Sequence, residues 1–161
     1  MWGGSWIFVV ANPFESAYIC AMPRIIAIDF GFKRTGLAWT DPLQIIATAL
    51  ETVPTETLEA RLKAIMAKEK VEAIVVGFPT RLDGTDTHTT EAVRRLSDRL
   101  KTQYPDLRIV FQDEQFSSKM AMQAMIKGGV PKMKRRNKGL VDQVSAVIIL
   151  QDYLESIQPF L

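Results

Sequence analysis

The fold is decided by residues 24–40, which read RIIAIDFGFKRTGLAWT. Two apolar runs, 24–29 and 34–40, flank a short turn that contains a glycine. Because a parallel return would need a long crossover, strands joined this closely form an antiparallel hairpin. A third apolar segment, 43–51, follows an Asp-Pro turn. The chain is therefore predicted to open with an antiparallel meander of three strands.

Helices and strands alternate after this meander. In chain order, the predicted elements are a helix over 55–70, a strand over 71–77, a helix over 87–102, a strand over 107–111, and helices over 117–127 and 140–157. The helices have apolar residues at helical spacing, and the strands are continuous apolar runs typical of a sheet buried on both faces. Such alternation implies right-handed crossovers and parallel strands. The sequence predicts an α/β fold, a mixed five-stranded sheet with a meander of three strands plus two parallel strands, flanked by helices.

The composition bounds the class of protein. A chain of 161 residues with 47% hydrophobic and 24% charged residues suits one globular domain, which excludes a disordered or collagen-like chain. No apolar run approaches the roughly 20 residues that span a bilayer, so no membrane partner is expected. The single cysteine suits a reducing compartment, and the single histidine excludes a His/Cys zinc site. A metal would have to be held by oxygen atoms.

The first 21 residues differ from the rest. They contain no Lys or Arg, so they lack the positive region of a secretory signal, and their apolar run is short. Met22 stands directly before the first predicted strand. We therefore expect residues 1–21 to be an N-terminal extension outside the core, Met22 to be the functional start, and residues 22–161 to form the domain.

The net charge of +2 is distributed unevenly. Between Gln115 and Val141 the chain has seven basic residues and no acidic one. Most of them fall in 130–138, which Pro131 interrupts and which is predicted as a loop. A local surplus of this kind attracts a polyanion. A solvated basic loop without a partner is the alternative.

Carboxylates stand at the ends of apolar elements. Asp29 ends the first strand, Asp113 and Glu114 follow the last predicted strand, and Asp142 lies near the start of the last helix. An ionised carboxylate beside a core is costly unless it is paired or binds a cation, and open α/β sheets place ligands at the carboxyl ends of their strands. Taken singly, each acid could be a turn former or a helix-end residue. Together they offer the oxygen ligands that suit Mg²⁺ or Mn²⁺.

Four stretches resemble the motifs of one family. They are 26–36, 77–79 with 83–85, 113–118 and 138–146, and the resemblance extends over most of 24–154. In this order they resemble the YqgF family, also called RuvX, of the RNase H-like superfamily. One departure is Gln115, where the family usually has Arg, and this puts a phosphate contact in doubt.

The resemblance implies a fold, an activity and a site. The fold is RNase H-like, and the activity is that of a cytoplasmic bacterial nuclease that matures the 5′ end of precursor 16S rRNA. An older proposal for the family is Holliday-junction resolution on branched DNA. Asp29, Glu114 and Asp142 match the catalytic acids that bind two Mg²⁺ or Mn²⁺ ions, with Asp113 as a further metal neighbour.

Basic residues around these motifs are expected to bind the nucleic-acid backbone. The candidates are Lys33, Arg34, Arg81, Lys132, Lys134, Arg135, Arg136 and Lys138. Contacts to phosphate position a strand without reading its sequence. Phe78 and Phe116 are candidate stacking surfaces for an unpaired base, with core packing as the alternative.

Two other functions fit parts of the sequence. Asp29, Gly31 and Gly36 have the D-x-G-x-x-x-x-G spacing of the phosphate-binding hairpin in actin-like and sugar-kinase ATPases. Those enzymes close two such domains around ATP, and this chain has room for one. A non-catalytic RNA-binding factor with the same fold is the second alternative, which Gln115 leaves open.

Overall fold

The computed structural model describes residues 23–79, 88–113 and 117–157. Its strands are β1 (Arg24–Phe30), β2 (Arg34–Thr40), β3 (Ala47–Pro54), β4 (Val71–Phe78) and β5 (Arg108–Asp113). A 3₁₀ turn covers Thr55–Thr57, and the helices are α1 (Leu58–Met66), α2 (His88–Gln103), α3 (Ser117–Lys127), α4 (Lys132–Arg135) and α5 (Lys138–Ile157).

The five strands form one mixed sheet in the order β3-β2-β1-β4-β5. β1 pairs antiparallel with β2, and β2 pairs antiparallel with β3. β4 lies parallel to both β1 and β5. The predicted meander plus two parallel strands is therefore confirmed. The most apolar segments occupy the centre, as expected for strands that are covered on both faces.

Side-chain alternation divides the core into two layers. Ile26 and Ile28 of β1 face the layer that α1 and α2 cover with Leu62 and Leu96. On the other face, small residues such as Ala27, Ala38 and Ala73 lie under α5. Short side chains let a helix approach a sheet closely. α5 therefore lies close over the centre of the sheet, and α3 packs against α5.

The predicted third strand begins later than expected. Asp41 accepts hydrogen bonds from the amides of Leu43, Ile45 and Ile46 at 3.1, 2.7 and 2.7 Å, and Gln44 has a φ of +56°. Burial acts to raise the pKa of Asp41, but these amide hydrogen bonds outweigh it and hold that pKa below its usual value. The segment before β3 is thus a loop, and its three apolar side chains stay exposed.

Three further expectations differ from the structure. The helix predicted over 55–70 divides into a 3₁₀ turn and a shorter α1. β5 is an edge strand and not fully buried, since it pairs with β4 alone, and Phe111 is 40% exposed. The predicted loop 130–138 contains α4, and α5 starts two residues early because the side chain of Asn137 accepts hydrogen bonds from the first amides of the helix.

The N-terminal extension predicted at residues 1–21 lies outside the described residues, as does Met22. The division into an extension and a domain of 22–161 stays a prediction. Within the three described ranges, no helix combines the length and the apolar character needed to cross a bilayer.

Candidate active site

The hairpin of β1 and β2 places Asp29 under α5. Asp29 pairs directly with Gly36 across the two antiparallel strands. Directly opposed residues share one face of a sheet, and alternation along β1 puts Asp29 on the face of Ile25 and Ala27. α5 covers that face. Asp29 therefore lies at the edge of the buried part of this face.

Gly36 brings Asp142 to the same place. A Cβ atom on Gly36 would lie 2.2 Å from the carbonyl oxygen of Asp142 and 2.4 Å from its carbonyl carbon. Only a residue without a side chain allows the backbone of α5 to contact β2 here. Asp29 and Asp142, which are far apart in the sequence, are therefore neighbours of a single glycine.

Arg34 is the partner of Asp142. Its Nε donates a hydrogen bond to Oδ2 of Asp142 at 3.2 Å, and the two side chains are 41% and 26% exposed. Pairing offsets part of the cost of holding a carboxylate against the core. Within the described part of the chain, no other group bonds to this carboxylate. The Asp142 side chain is thus partly accessible to solvent beside its bond to Arg34.

The turn between β1 and β2 is held by the end of β3. Thr55 donates its hydroxyl to the carbonyl of Gly31 at 2.6 Å and its amide to the carbonyl of Lys33 at 3.2 Å. The hydroxyls of Thr55 and Thr35 also bond at 2.9 Å. These bonds fix the turn that carries Lys33 and leads into Arg34.

Of the two adjacent acids at the end of β5, the structure describes only Asp113. Asp113 is the last residue of β5 and pairs with Phe78. Alternation places it on the face of Ile109 and Phe111, which is opposite to the face of Asp29. Glu114 lies outside the described residues, so its predicted place beside Asp29 and Asp142 stays a prediction.

The chemistry of the donor set fits a hard divalent cation. Asp29 and Asp142 supply carboxylate oxygens and no sulfur or imidazole, which suits Mg²⁺ or Mn²⁺. Among the described residues, no group of three or more His, Cys, Asp or Glu side chains comes together. A third protein ligand would therefore have to come from a residue outside that part of the chain, and Glu114 is the candidate that the sequence supplies.

A cleft of about 840 Å³ adjoins this pair of acids. It contains four cationic side chains, and none of the described residues that line it is acidic. They are Arg34, Lys134, Arg136 and Lys138, with Thr52, Asn137, Gly139, Leu140 and Gln143 completing the lining. Thr52 donates its hydroxyl to the carbonyl of Gly139 at 2.7 Å, which joins β3 to the start of α5. This cationic cleft is suited to a polyanion.

Half of the predicted nucleic-acid contacts line the cationic cleft. Of the rest, Arg135 donates its Nε to the carbonyl of Val130 at 2.9 Å, so that this donor is bonded to the backbone just before α4. Lys33 and Lys132 are exposed outside the lining. Arg81 lies outside the described residues.

An aromatic residue that the sequence analysis missed lies at the hairpin turn. Phe32 is 63% exposed and contacts Phe30 in a T-shaped arrangement, with ring centroids 6.1 Å apart. Phe78 instead packs on Phe111 at 4.8 Å, which is the core-packing alternative, and Phe116 lies outside the described residues. The signal in the sequence was an aromatic residue within a short turn, where no core is available to bury it.

Comparison with known proteins finds one matching family and relatives that share one name. The family described as "RuvX: Holliday junction resolvase" matches residues 23–156. A protein of Flavobacterium johnsoniae is 47% identical over 135 residues, which cover 84% of this chain and 98% of the relative. Its counterpart in Flavobacterium psychrophilum is 48% identical over 133 residues, covering 83% and 97%. Both are named "Putative pre-16S rRNA nuclease".

A solved structure shares the fold. RuvC of Thermus thermophilus, in complex with a Holliday junction substrate, superposes with a TM-score of 0.50 at 18% identity. The match covers 84% of this chain and 96% of RuvC. At that identity the likeness concerns the fold, and it confirms the predicted RNase H-like arrangement. Together with the match over 23–156, these findings show that the chain belongs to the RuvX family and is an enzyme of the nuclease class, a phosphodiester hydrolase.

Proposed function

We propose that this protein is a metal-dependent endonuclease that acts in the 5′-end maturation of precursor 16S rRNA. One observation carries the proposal. The backbone of Asp142 lies against Gly36, the residue that pairs with Asp29, and Arg34 connects Asp142 to the cationic cleft. The name of the relatives supports ribosomal RNA as the substrate.

The chain's own residues would bind and orient the substrate. Arg34, Lys134, Arg136 and Lys138 attract the backbone and hold it in the cleft, so that a phosphodiester lies beside the acids. Asp29, Glu114 and Asp142 would hold one or two Mg²⁺ or Mn²⁺ ions, which when bound supply a Lewis acid and an activated water. Asp113 lies on the other face of the sheet, so Glu114 is the better candidate of that adjacent pair.

A cleavage assay with two substrates tests this proposal. Precursor 16S rRNA and a four-way DNA junction are incubated side by side with the protein and Mg²⁺, Mn²⁺ or a chelator. We expect the precursor RNA to be cut to products with 5′-phosphate and 3′-hydroxyl ends. The chelator should stop cleavage, and excess Mg²⁺ should restore it.

The other outcomes of this assay point elsewhere. Faster cutting of the junction would favour Holliday-junction resolution, which the description of the family supports. Tight binding of RNA with no cleavage in either metal would favour a non-catalytic RNA-binding factor. Cleavage that survives the chelator would contradict metal dependence.

Phe32 tests whether the substrate includes an unpaired base. Its exposed ring at the hairpin turn can stack on a base, and such stacking contributes about 1–3 kcal/mol per base. We expect Phe32→Ala to weaken binding of single-stranded RNA by roughly 5- to 150-fold and Phe32→Trp to retain it. Fluorescence anisotropy with a labelled RNA measures the affinity.

Leu43→Ala is the matched control for this substitution. Leu43 is also exposed, at 49%, but it lies in the loop at the opposite end of β2. Its truncation should leave RNA affinity unchanged. Equal affinities of Phe32→Ala and the wild type would exclude stacking at this position.

A further inference from the structure

Arg34 contacts both Asp142 and the cationic cleft. Its Nε contacts Oδ2 of Asp142 at 3.2 Å, and its side chain also lines the cationic cleft. A guanidinium has five N–H donors in a rigid planar fork, and Asp142 engages one of them. The side chain is 41% exposed and lines the cleft, so a ligand in the cleft can reach it.

We propose that Arg34 couples metal binding at Asp142 to phosphate binding in the cationic cleft. Nε sets the orientation of the Asp142 carboxylate, and the terminal amino groups bind a backbone phosphate. Arg34 is therefore a positioning residue for Asp142 as well as a contact to the substrate. This inference rests on the proposed function, because it takes Asp142 as a metal-binding acid and a nucleic-acid strand as the occupant of the cleft.

The direction of the coupling follows from charge. Without a cation, Arg34 is the partner that offsets the charge of Asp142. A divalent ion at the carboxylate offsets part of that charge, so more of the positive charge of the guanidinium is available to a phosphate while Nε still orients the carboxylate. Metal and strand should then strengthen each other's binding, and by linkage the factor must be the same in both directions.

Lysine cannot replace arginine in this role. An ammonium is a compact point charge, whereas the planar fork can hold two anions in fixed directions. Arg34→Lys keeps the charge of the cleft but loses the shared contact. Arg136→Lys is the matched control, since Arg136 lines the same cleft and makes no ion pair with a described carboxylate.

The experiment measures binding, without relying on cleavage. RNA affinity is determined by anisotropy in a chelator and in Ca²⁺, and Ca²⁺ affinity is determined by isothermal titration calorimetry with and without RNA, so that both arms use the same ion. In the wild type we expect each ligand to raise the affinity of the other by about 5- to 150-fold. In Arg34→Lys this factor should fall several-fold, because only the direct attraction between the ion and the phosphate remains, while Arg136→Lys should retain it.

Two results would overturn the inference, and they can be told apart. If Arg34→Lys lowers RNA affinity equally with and without the ion, so that the coupling factor stays at the wild-type value, Arg34 is only a phosphate contact. If the wild type binds no Ca²⁺, the proposed metal site itself is wrong and the coupling fails with it. Thermal unfolding confirms that each variant is folded before binding is compared.

Discussion

Asp142→Asn is expected to reduce cleavage by about 10³-fold or more and to leave the protein folded. The asparagine oxygen can still accept the hydrogen bond from Arg34, but it lacks the negative charge that a divalent cation requires. A bound metal contributes several kcal/mol to such reactions, and each 1.36 kcal/mol is a factor of ten in rate. Asp29→Asn should have a similar effect, since Asp29 lies on the same face beside Gly36.

The measurement is single-turnover cleavage of precursor rRNA in Mg²⁺, with the melting temperature recorded for each variant. The pair Arg34–Asp142 is partly exposed, so its loss should cost only about 0–1 kcal/mol of stability. A variant of either acid that keeps more than a tenth of the wild-type rate would remove that acid from the catalytic set.

Asp152→Asn is the matched control on the same helix. Asp152 is a carboxylate of α5 three turns beyond the site. Burial, and then the charge of Glu155, raise the pKa of Asp152 above its usual value. The folded state therefore holds this proton more tightly, and ionisation of Asp152 lowers stability as the pH rises through that range. At neutral pH the control should cleave normally and be as stable as the wild type or slightly more so.

Gly36→Ala is the second substitution with a large expected effect. The added methyl group would meet the backbone of Asp142 at 2.2 Å, and backbone atoms cannot rotate away. Overpacking of this kind costs about 1–3 kcal/mol, which lowers the melting temperature by roughly 3–10 °C for a domain of this size. Because α5 must shift away from β2, Asp142 is displaced from Asp29. A misplacement of about 1 Å can reduce the rate about 10²-fold.

Thermal unfolding and cleavage well below the melting temperature separate the two effects. Gly128→Ala is the control for adding a methyl group. Its Cβ would contact the carbonyl oxygen of Ala124 at 3.3 Å, at the end of α3, and Gly128 takes no part in the site. It should change neither property much. A Gly36→Ala protein with wild-type stability and rate would show that the close approach of α5 to β2 is not required.

The element types and the topology were predictable from the sequence, because their signals are local. Apolar residues at periods of two and 3.6, short turns, and alternation of helices with strands are all visible along the chain. The third strand was placed too early, since Leu43, Ile45 and Ile46 have the composition of a strand. The Asp41 side chain instead accepts hydrogen bonds from their amides and holds the segment as a loop. A single side chain of this kind outweighs the local preference of these residues for a strand.

The residue types of the candidate site were also predictable, but not how they come together. Carboxylates at strand ends and a basic segment were evident from the chain, and the resemblance to one family indicated which acids to choose. Three facts required the tertiary structure: the contact of Gly36 with Asp142, the pairing of Asp142 with Arg34, and which cations line the cleft. Each depends on how closely α5 approaches the sheet.

By itself, the sequence determined a mixed α/β sheet flanked by helices, the oxygen-only chemistry available to a metal, and the candidate acids and cations. Only the tertiary structure decided that Asp29 and the backbone of Asp142 both lie next to Gly36, and that Asp113 faces the other side of the sheet. The physical reason is the range of the interactions. Periodicity and turns act between near neighbours along the chain, whereas the site depends on backbone packing between elements that the sequence separates by about a hundred residues.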